Sequence, residues 1–253
     1  MWLAGRKALV TGGGRGIGAA IARRLAAAGA HVIVWGRTAA EVGEVAGELG
    51  GTPITCDLAD RDATDGALAR IGKEVGGVDI LVNNAGLALS APLHRIRDQD
   101  WDRLLEVNVT AAFRLCRALV PGMVERGWGR VVNLASNAGV SGYRYTAAYC
   151  ASKHAMVGMT RALAIDLART GVTINAVCPG WVETRMVEEA VARISGATGR
   201  SQEAARSALA DMSPQRRLLT PDEVAAMVEY LCREEAQAVH GQAMLIDGGQ
   251  VLK

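Results

Sequence analysis

Aromatic side chains are scarce: Phe, Trp and Tyr make up 4% of the 253 residues, with a single Phe, although half the chain is hydrophobic. A core of that composition has to be built from Ala, Val, Leu and Ile, which suits helices packed on buried parallel strands. Cysteine is also sparse, and Cys56, Cys116, Cys150, Cys178 and Cys232 show no Cys-x-x-Cys spacing. That disfavours a zinc site and a disulfide framework, so no metal is expected and the thiols fit a reducing, cytoplasmic compartment. Neither sign of charge dominates, since 28 Lys and Arg stand against 26 Asp and Glu without a block of like charge. Nucleic-acid and membrane partners are therefore not expected. No apolar stretch approaches the ~20 residues needed to span a bilayer. Met1 to Val10 is mildly apolar but carries Arg6 and Lys7, which makes it a first strand and no signal peptide.

What the chain does have is an alternation of short apolar runs with helical periods. Lys7 to Thr11 reads as a strand, Gly12-Gly-Gly-Arg15-Gly16-Ile17-Gly18 opens a helical segment from Ala19 to Ala28, and His31 to Trp35 supplies a second strand. The glycines let the backbone turn tightly and approach a ligand, and the amides at the helix start suit a pyrophosphate. A plain helix-capping loop is the weaker reading in that setting. A carboxylate after the second strand would bond the ribose hydroxyls of NAD and repel a 2′-phosphate. Gly36-Arg37-Thr38 stands there instead. The missing acid and the Arg37 guanidinium, with Arg15 in reach of the same phosphate, favour NADP over NAD, although either arginine also fits as a surface residue.

The alternation continues with helices near 39–49 and 61–75, strands at 52–56 and 79–83, and a long amphipathic helix from Asp98 to Val124. A strand through Leu134, a helix ending at Arg169, and strands at 171–178 and 243–247 complete it. This predicts a single doubly wound (Rossmann) α/β domain over 1–253 with a seven-stranded parallel sheet. Asp57, just past the third strand, is placed to meet an adenine edge or to cap the next helix, a job Asp60 also fits. Asn83 and Asn84 end the fourth strand, where amides hold neighbouring strands or touch a cofactor. Asn108 is either an exposed helix residue or a side chain holding a water near Lys153. Pro179-Gly180 closes the sixth strand and sets Thr184 beside the crevice. From Met186 to Leu219 two alanine-rich helical pieces replace a short crossover, which reads as a substrate lid or as plain packing. Pro221 begins a last helix with Thr220 as N-cap.

The richest stretch runs from Ser136 to Lys153. Tyr149 and Lys153 are four residues apart, so on a helix they share one face, and a fixed cation stabilises a phenolate and lowers the tyrosine pKa. Ser136, ending the preceding strand, is placed to bond the same substrate oxygen. Tyr143 and Tyr145 lack a lysine four residues on and read as pocket wall, with Trp181 and Met186 as further lining.

Taken together, Thr11-Gly12-Gly-Gly-Arg-Gly16-Ile-Gly18, Asn83-Asn84-Ala85-Gly86, Asn108, Ser136, Tyr149-x-x-x-Lys153, Pro179-Gly180 and Asp247-Gly248-Gly249 resemble the short-chain dehydrogenase/reductase family over nearly the whole chain. Within it, Ala168 to Thr184 is similar to the aromatic polyketide ketoreductases, and less closely to 3-hydroxybutyrate dehydrogenases and 3-oxoacyl carrier-protein reductases. The resemblance implies hydride transfer between NADPH and a ketone or oxoacyl carbonyl, with Tyr149 as general acid/base. Lys153 would lower its pKa and hold the nicotinamide ribose, Ser136 would orient the carbonyl, and Asn108 would anchor a relay water. Gly12, Arg15, Gly16, Ile17 and Gly18 would bind the pyrophosphate and adenosine end, Asp57 and Leu58 would flank adenine, and Arg37 would meet the 2′-phosphate. Asn84 would face the ribose, and Val182 with Thr184 the carboxamide and phosphate. A homotetramer or dimer is implied too, and the helices from Asp98 and Tyr149, apolar on more than one face, suggest burial against another subunit. Carrier-protein reductases tend to place basic residues where this chain has Thr170 and Gly127, which weighs against a carrier-bound substrate. The alternatives are an NAD-dependent secondary alcohol or 3-hydroxy acid dehydrogenase, and a non-catalytic dinucleotide-binding regulator, which the intact Tyr149 and Lys153 disfavour.

Overall fold

The computed structural model describes residues 1–252. Its strands are β1 Lys7–Thr11, β2 His31–Gly36, β3 Thr52–Thr55, β4 Ile80–Asn83, β5 Gly129–Leu134, β6 Val172–Pro179 and β7 Ala243–Ile246. The helices are α1 Gly16–Ala27, α2 Ala39–Leu49, α3 Arg61–Glu74, α4 Asp98–Leu105, α5 Ala111–Glu125, α6 Ala147–Leu167, α7 Arg185–Thr198, α8 Gln202–Ala210 and α9 Pro221–Leu231. The strands form one sheet in the order β3-β2-β1-β4-β5-β6-β7, parallel throughout.

Successive side chains of a strand point to opposite faces, so each short apolar run feeds two cores. Ala8, Val10, Val32, Val34, Ile80, Val82, Val132 and Leu134 pack on one face with Ile21 and Leu25 of α1 and Val224 and Val228 of α9. Leu9, Ile33, Trp35, Leu81, Val131 and Ile174 turn the other way, onto Ile71 of α3 and Leu115 and Met123 of α5. β1 lies between β2 and β4, and the helices that follow β1 and β4 lie on opposite faces. The crevice for a ligand therefore opens over the carboxyl ends of β1 and β4.

The helix expected from 98 to 124 runs from Asp98 to Glu125, but a π-turn at Glu106–Thr110 joins α4 to α5. By length and composition alone that run is apolar enough to cross a membrane, where the sequence reading expected no such stretch. Arg114 and Arg117 interrupt it in sequence, and Ala111, Leu115, Cys116 and Met123 on its apolar side are buried in the core beside the sheet. The segment expected to be a lid is two helices, α7 and α8, that pack on each other through Val187, Val191, Ala205 and Leu209. It leaves and rejoins the body where Val182 bridges Leu219.

Candidate active site

The glycine turn after β1 is held by steric fit. Gly12 has φ +63, and a Cβ there would stand 2.9 Å from Asn84 Nδ2. Asn84 donates that amide to the Thr11 carbonyl at 2.8 Å and to the Gly12 carbonyl at 3.3 Å. Gly18 is tighter still, since a Cβ would run into the Gly12 carbonyl. α1 begins after Arg15, an extended residue without a side-chain capping bond, so the first-turn amides of Gly16, Ile17 and Gly18 lack intrahelical partners. Thr184 faces them, its methyl 3.2 Å from where a Gly16 Cβ would lie. Free amides in a cleft that admits no side chain fit a dinucleotide pyrophosphate. Ile17 and Val182 pack into the core underneath, and the Thr184 hydroxyl donates to the Val182 carbonyl at 3.2 Å.

At the adenosine end, Arg15 pairs with Glu41 at 3.1 Å, while Arg37 is exposed. Asp60, and not Asp57, caps α3, accepting from the Ala63 amide at 3.0 Å. Asp57 accepts from the Ala59 amide at 3.0 Å and from Arg103 at 2.7 Å. Partial burial pushes its pKa up, but these donors and the fields of Arg103 and Arg37 hold it below the usual carboxylate range. Leu58, expected beside adenine, is buried with Trp35 and Ile54.

Tyr149 lies in the first turn of α6, and Lys153 follows one turn later. Lys153 is 5% exposed, its Nζ donates to the Leu134 carbonyl at 2.8 Å, and that nitrogen lies 5.8 Å from the Tyr149 ring centroid. A Cβ on Gly86 would come within 3.3 Å of Asn108 Oδ1 and 3.6 Å of Lys153 Nζ, so the end of β4, the π-turn and α6 converge. Asn108 is 1% exposed, which overturns the exposed-helix reading. Its Oδ1 accepts from the Leu87 amide at 2.7 Å, and its Nδ2 donates to the Leu87 carbonyl at 2.9 Å and to Ser152 Oγ at 3.0 Å. Ser136 Oγ accepts from the Ala138 amide at 3.1 Å, donates to Asn137 Oδ1 at 3.4 Å and lies beside Tyr149.

Burial pushes the Tyr149 phenol up to about 12, against the lowering effect of Ser136, and pushes Lys153 down to about 8. The expectation that Lys153 lowers the phenol's pKa is therefore not met. Lys153 is buried and Tyr149 half-buried, desolvation disfavours the charged form of each, and Lys153 Nζ is directed at a carbonyl. Nearby, Tyr145 is 47% exposed with φ +65, and its carbonyl accepts from the Ala91 amide at 2.8 Å. This pins the loop from Leu87 to Pro92 against the entrance to α6.

Residues 6–195 match the family model described as short chain dehydrogenase. The chain belongs to the short-chain dehydrogenase family. It is 38% identical over 255 residues to D-beta-hydroxybutyrate dehydrogenase of Cupriavidus necator, covering 98% of this chain and 99% of the relative. Among solved structures it is similar to a variant of actinorhodin polyketide ketoreductase with NADPH, at TM-score 0.93 and 40% identity over 97% of both chains. L-Sorbose reductase from Gluconobacter frateurii, complexed with NADPH and L-sorbose, matches at TM-score 0.92 and 30% identity over 100% of both.

This short-chain dehydrogenase also holds site partners that sequence reasoning missed. Glu41 ties down Arg15, Arg103 ties down Asp57, Ser152 bonds Asn108, and Gln250 accepts from the Asn137 amide at 3.1 Å. Most of these pairs join distant segments, and no spacing in the sequence signals them. Asn83 is explained as well: its amide donates to Asn133 on β5 at 2.8 Å and so ties two strands together.

Proposed function

We propose that the protein reduces the carbonyl of a ketone or oxoacyl substrate to a secondary alcohol with NADPH, Tyr149 acting as general acid. The observation that carries this reading is the convergence of Ser136, Tyr149 and Lys153 beside the glycine cradle. When bound, the reduced nicotinamide supplies a hydride to the carbonyl carbon. The substrate oxygen then accepts hydrogen bonds from Ser136 Oγ and the Tyr149 phenol. With its pKa at about 12 the phenol is fully protonated at neutral pH, as a proton donor for reduction must be. As charge grows on the oxygen, Tyr149 passes it the phenolic proton, and the Lys153 ammonium stabilises the phenolate left behind. Asn108 holds the Leu87 backbone beside Lys153 and so shapes the place for a relay water.

Arg37 and the missing acid after β2 support NADP, and the ketoreductase and L-sorbose reductase structures named above are complexes with NADPH. Gly12, Arg15, Gly16, Ile17, Gly18, Asn84, Asp57, Leu58, Val182 and Thr184 line the proposed path of the cofactor, and α7 with α8 is its proposed substrate lid. The whole chain is proposed to work as one catalytic unit in the cytoplasm, consistent with its free thiols. The similarity to a D-beta-hydroxybutyrate dehydrogenase favours a second reading, oxidation of a 3-hydroxy acid with NAD. A panel of ketones with NADPH and NADH, and of hydroxy acids with both oxidised cofactors, followed by nicotinamide absorbance, decides between them. NADPH-dependent ketone reduction is the expected outcome, and exclusive NAD-dependent oxidation would replace it.

A further inference from the structure

We infer that Glu41 tunes selectivity for the phosphorylated cofactor by competing with it for Arg15, an inference that rests on the NADPH reading above. Glu41 lies in the first turn of α2, and the glycine loop packs against its backbone. A Cβ on Gly14 would stand 3.0 Å from the Glu41 carbonyl carbon and 3.1 Å from its Cβ. The carboxylate holds Arg15, with Nη1 at 3.1 Å from Oε1 and 3.5 Å from Oε2. One turn earlier Arg37 and Thr38 are exposed, and Thr38 is an N-cap whose side chain makes no capping bond. Arg37 acts on Asp57 through its field and has no carboxylate at contact distance among the described residues. The positive potential beside the ribose site is thus divided, with Arg37 free and Arg15 neutralised.

A 2′-phosphate is the stronger partner for a guanidinium, and an exposed ion pair contributes little in water, so Arg15 turns from Glu41 to the phosphate when NADPH binds. Glu41 cannot follow, because helix α2 and the contact with Gly14 fix its backbone. Releasing Arg15 from that carboxylate therefore costs part of the affinity for NADPH. The ribose of NADH brings no charge there, so Glu41 leaves that cofactor unaffected. Glu41 is a specificity residue that works through Arg15.

Dissociation constants for NADPH, NADH and adenosine 2′,5′-bisphosphate, measured by calorimetry at low and high salt on the wild type and on Glu41→Gln, test this. The variant is expected to bind NADPH and the bisphosphate about threefold to tenfold more tightly at low salt. The gain should shrink as salt screens the site, NADH affinity should stay within about twofold, and the gain should vanish when Arg15→Ala is also present. Unchanged or weaker NADPH binding, an equal gain for NADH, or a gain that survives Arg15→Ala overturns the inference. Failure of the cofactor reading has another signature: the wild type would bind NADPH no better than NADH, and Arg37→Ala would alter neither.

Discussion

Tyr149 is the residue on which the proposed chemistry turns. Removing its hydroxyl deletes the proton donor while leaving the ring in place. General acid catalysis contributes about 10²–10⁴-fold, so Tyr149→Phe is expected to lower kcat by about 10³-fold with NADPH binding, read by nicotinamide fluorescence, little changed. Wild-type-like turnover in that variant would sink the assignment. Lys153 adds a pH dependence whose sign follows from its burial. Its ammonium is pushed below the ordinary lysine value, to about 8, so raising the pH through that value removes the cation that stabilises the Tyr149 phenolate. The rate of ketone reduction at saturating NADPH is expected to fall as the pH rises through about 8, and a flat profile to about pH 9.5 would show that the charge is not used.

At the scale of elements, the π-turn between α4 and α5 places Asn108 where it pairs with both backbone groups of Leu87 and with Ser152. Asn108→Leu would leave the half-buried N–H and C=O of Leu87 without this partner, while Ser152 keeps its bond to the Tyr149 carbonyl, a loss of about 2–4 kcal/mol. Urea unfolding followed by circular dichroism should show it as a lower midpoint at unchanged slope, together with weaker turnover, because Leu87 begins the loop facing the site. The α7–α8 pair has a separate small core and is tied to its own base by Arg206, which bonds Glu188 at 2.7 Å and Glu183 at 2.9 Å. These are exposed pairs with little stability of their own. If the pair closes over substrate as proposed, Arg206→Ala should raise KM for the ketone several-fold and shift Tm by less than about 2 °C. Unaltered KM would assign the segment to packing.

For the molecule as a whole, large apolar side chains remain on the helices that flank β4 and β5. Trp101 on α4 is 39% exposed, Phe113 on α5 44% and Ile165 on α6 80%. Self-association would cover them, and a homotetramer or dimer is the proposed state. Light scattering is expected to give a multiple of the 26.5 kDa chain, and Phe113→Glu with Ile165→Glu should reduce it. A wild type that runs as a monomer would refute the proposal.

Much of this was legible in the sequence for a local reason. Strand period, helix period, glycine turns and the spacing of Tyr149 from Lys153 are written between near neighbours, so the chain itself determined the alternation of elements, the seven strands and the one-turn spacing of Tyr149 and Lys153 on α6. The buried setting of Asn108 and the partners Glu41, Arg103 and Gln250 were decided by segments far apart in sequence. So was the ionisation at the centre. The four-residue spacing put a cation near the phenol, but folding also took both groups out of water, and that desolvation, which no local pattern records, reversed the expected direction of the Tyr149 shift.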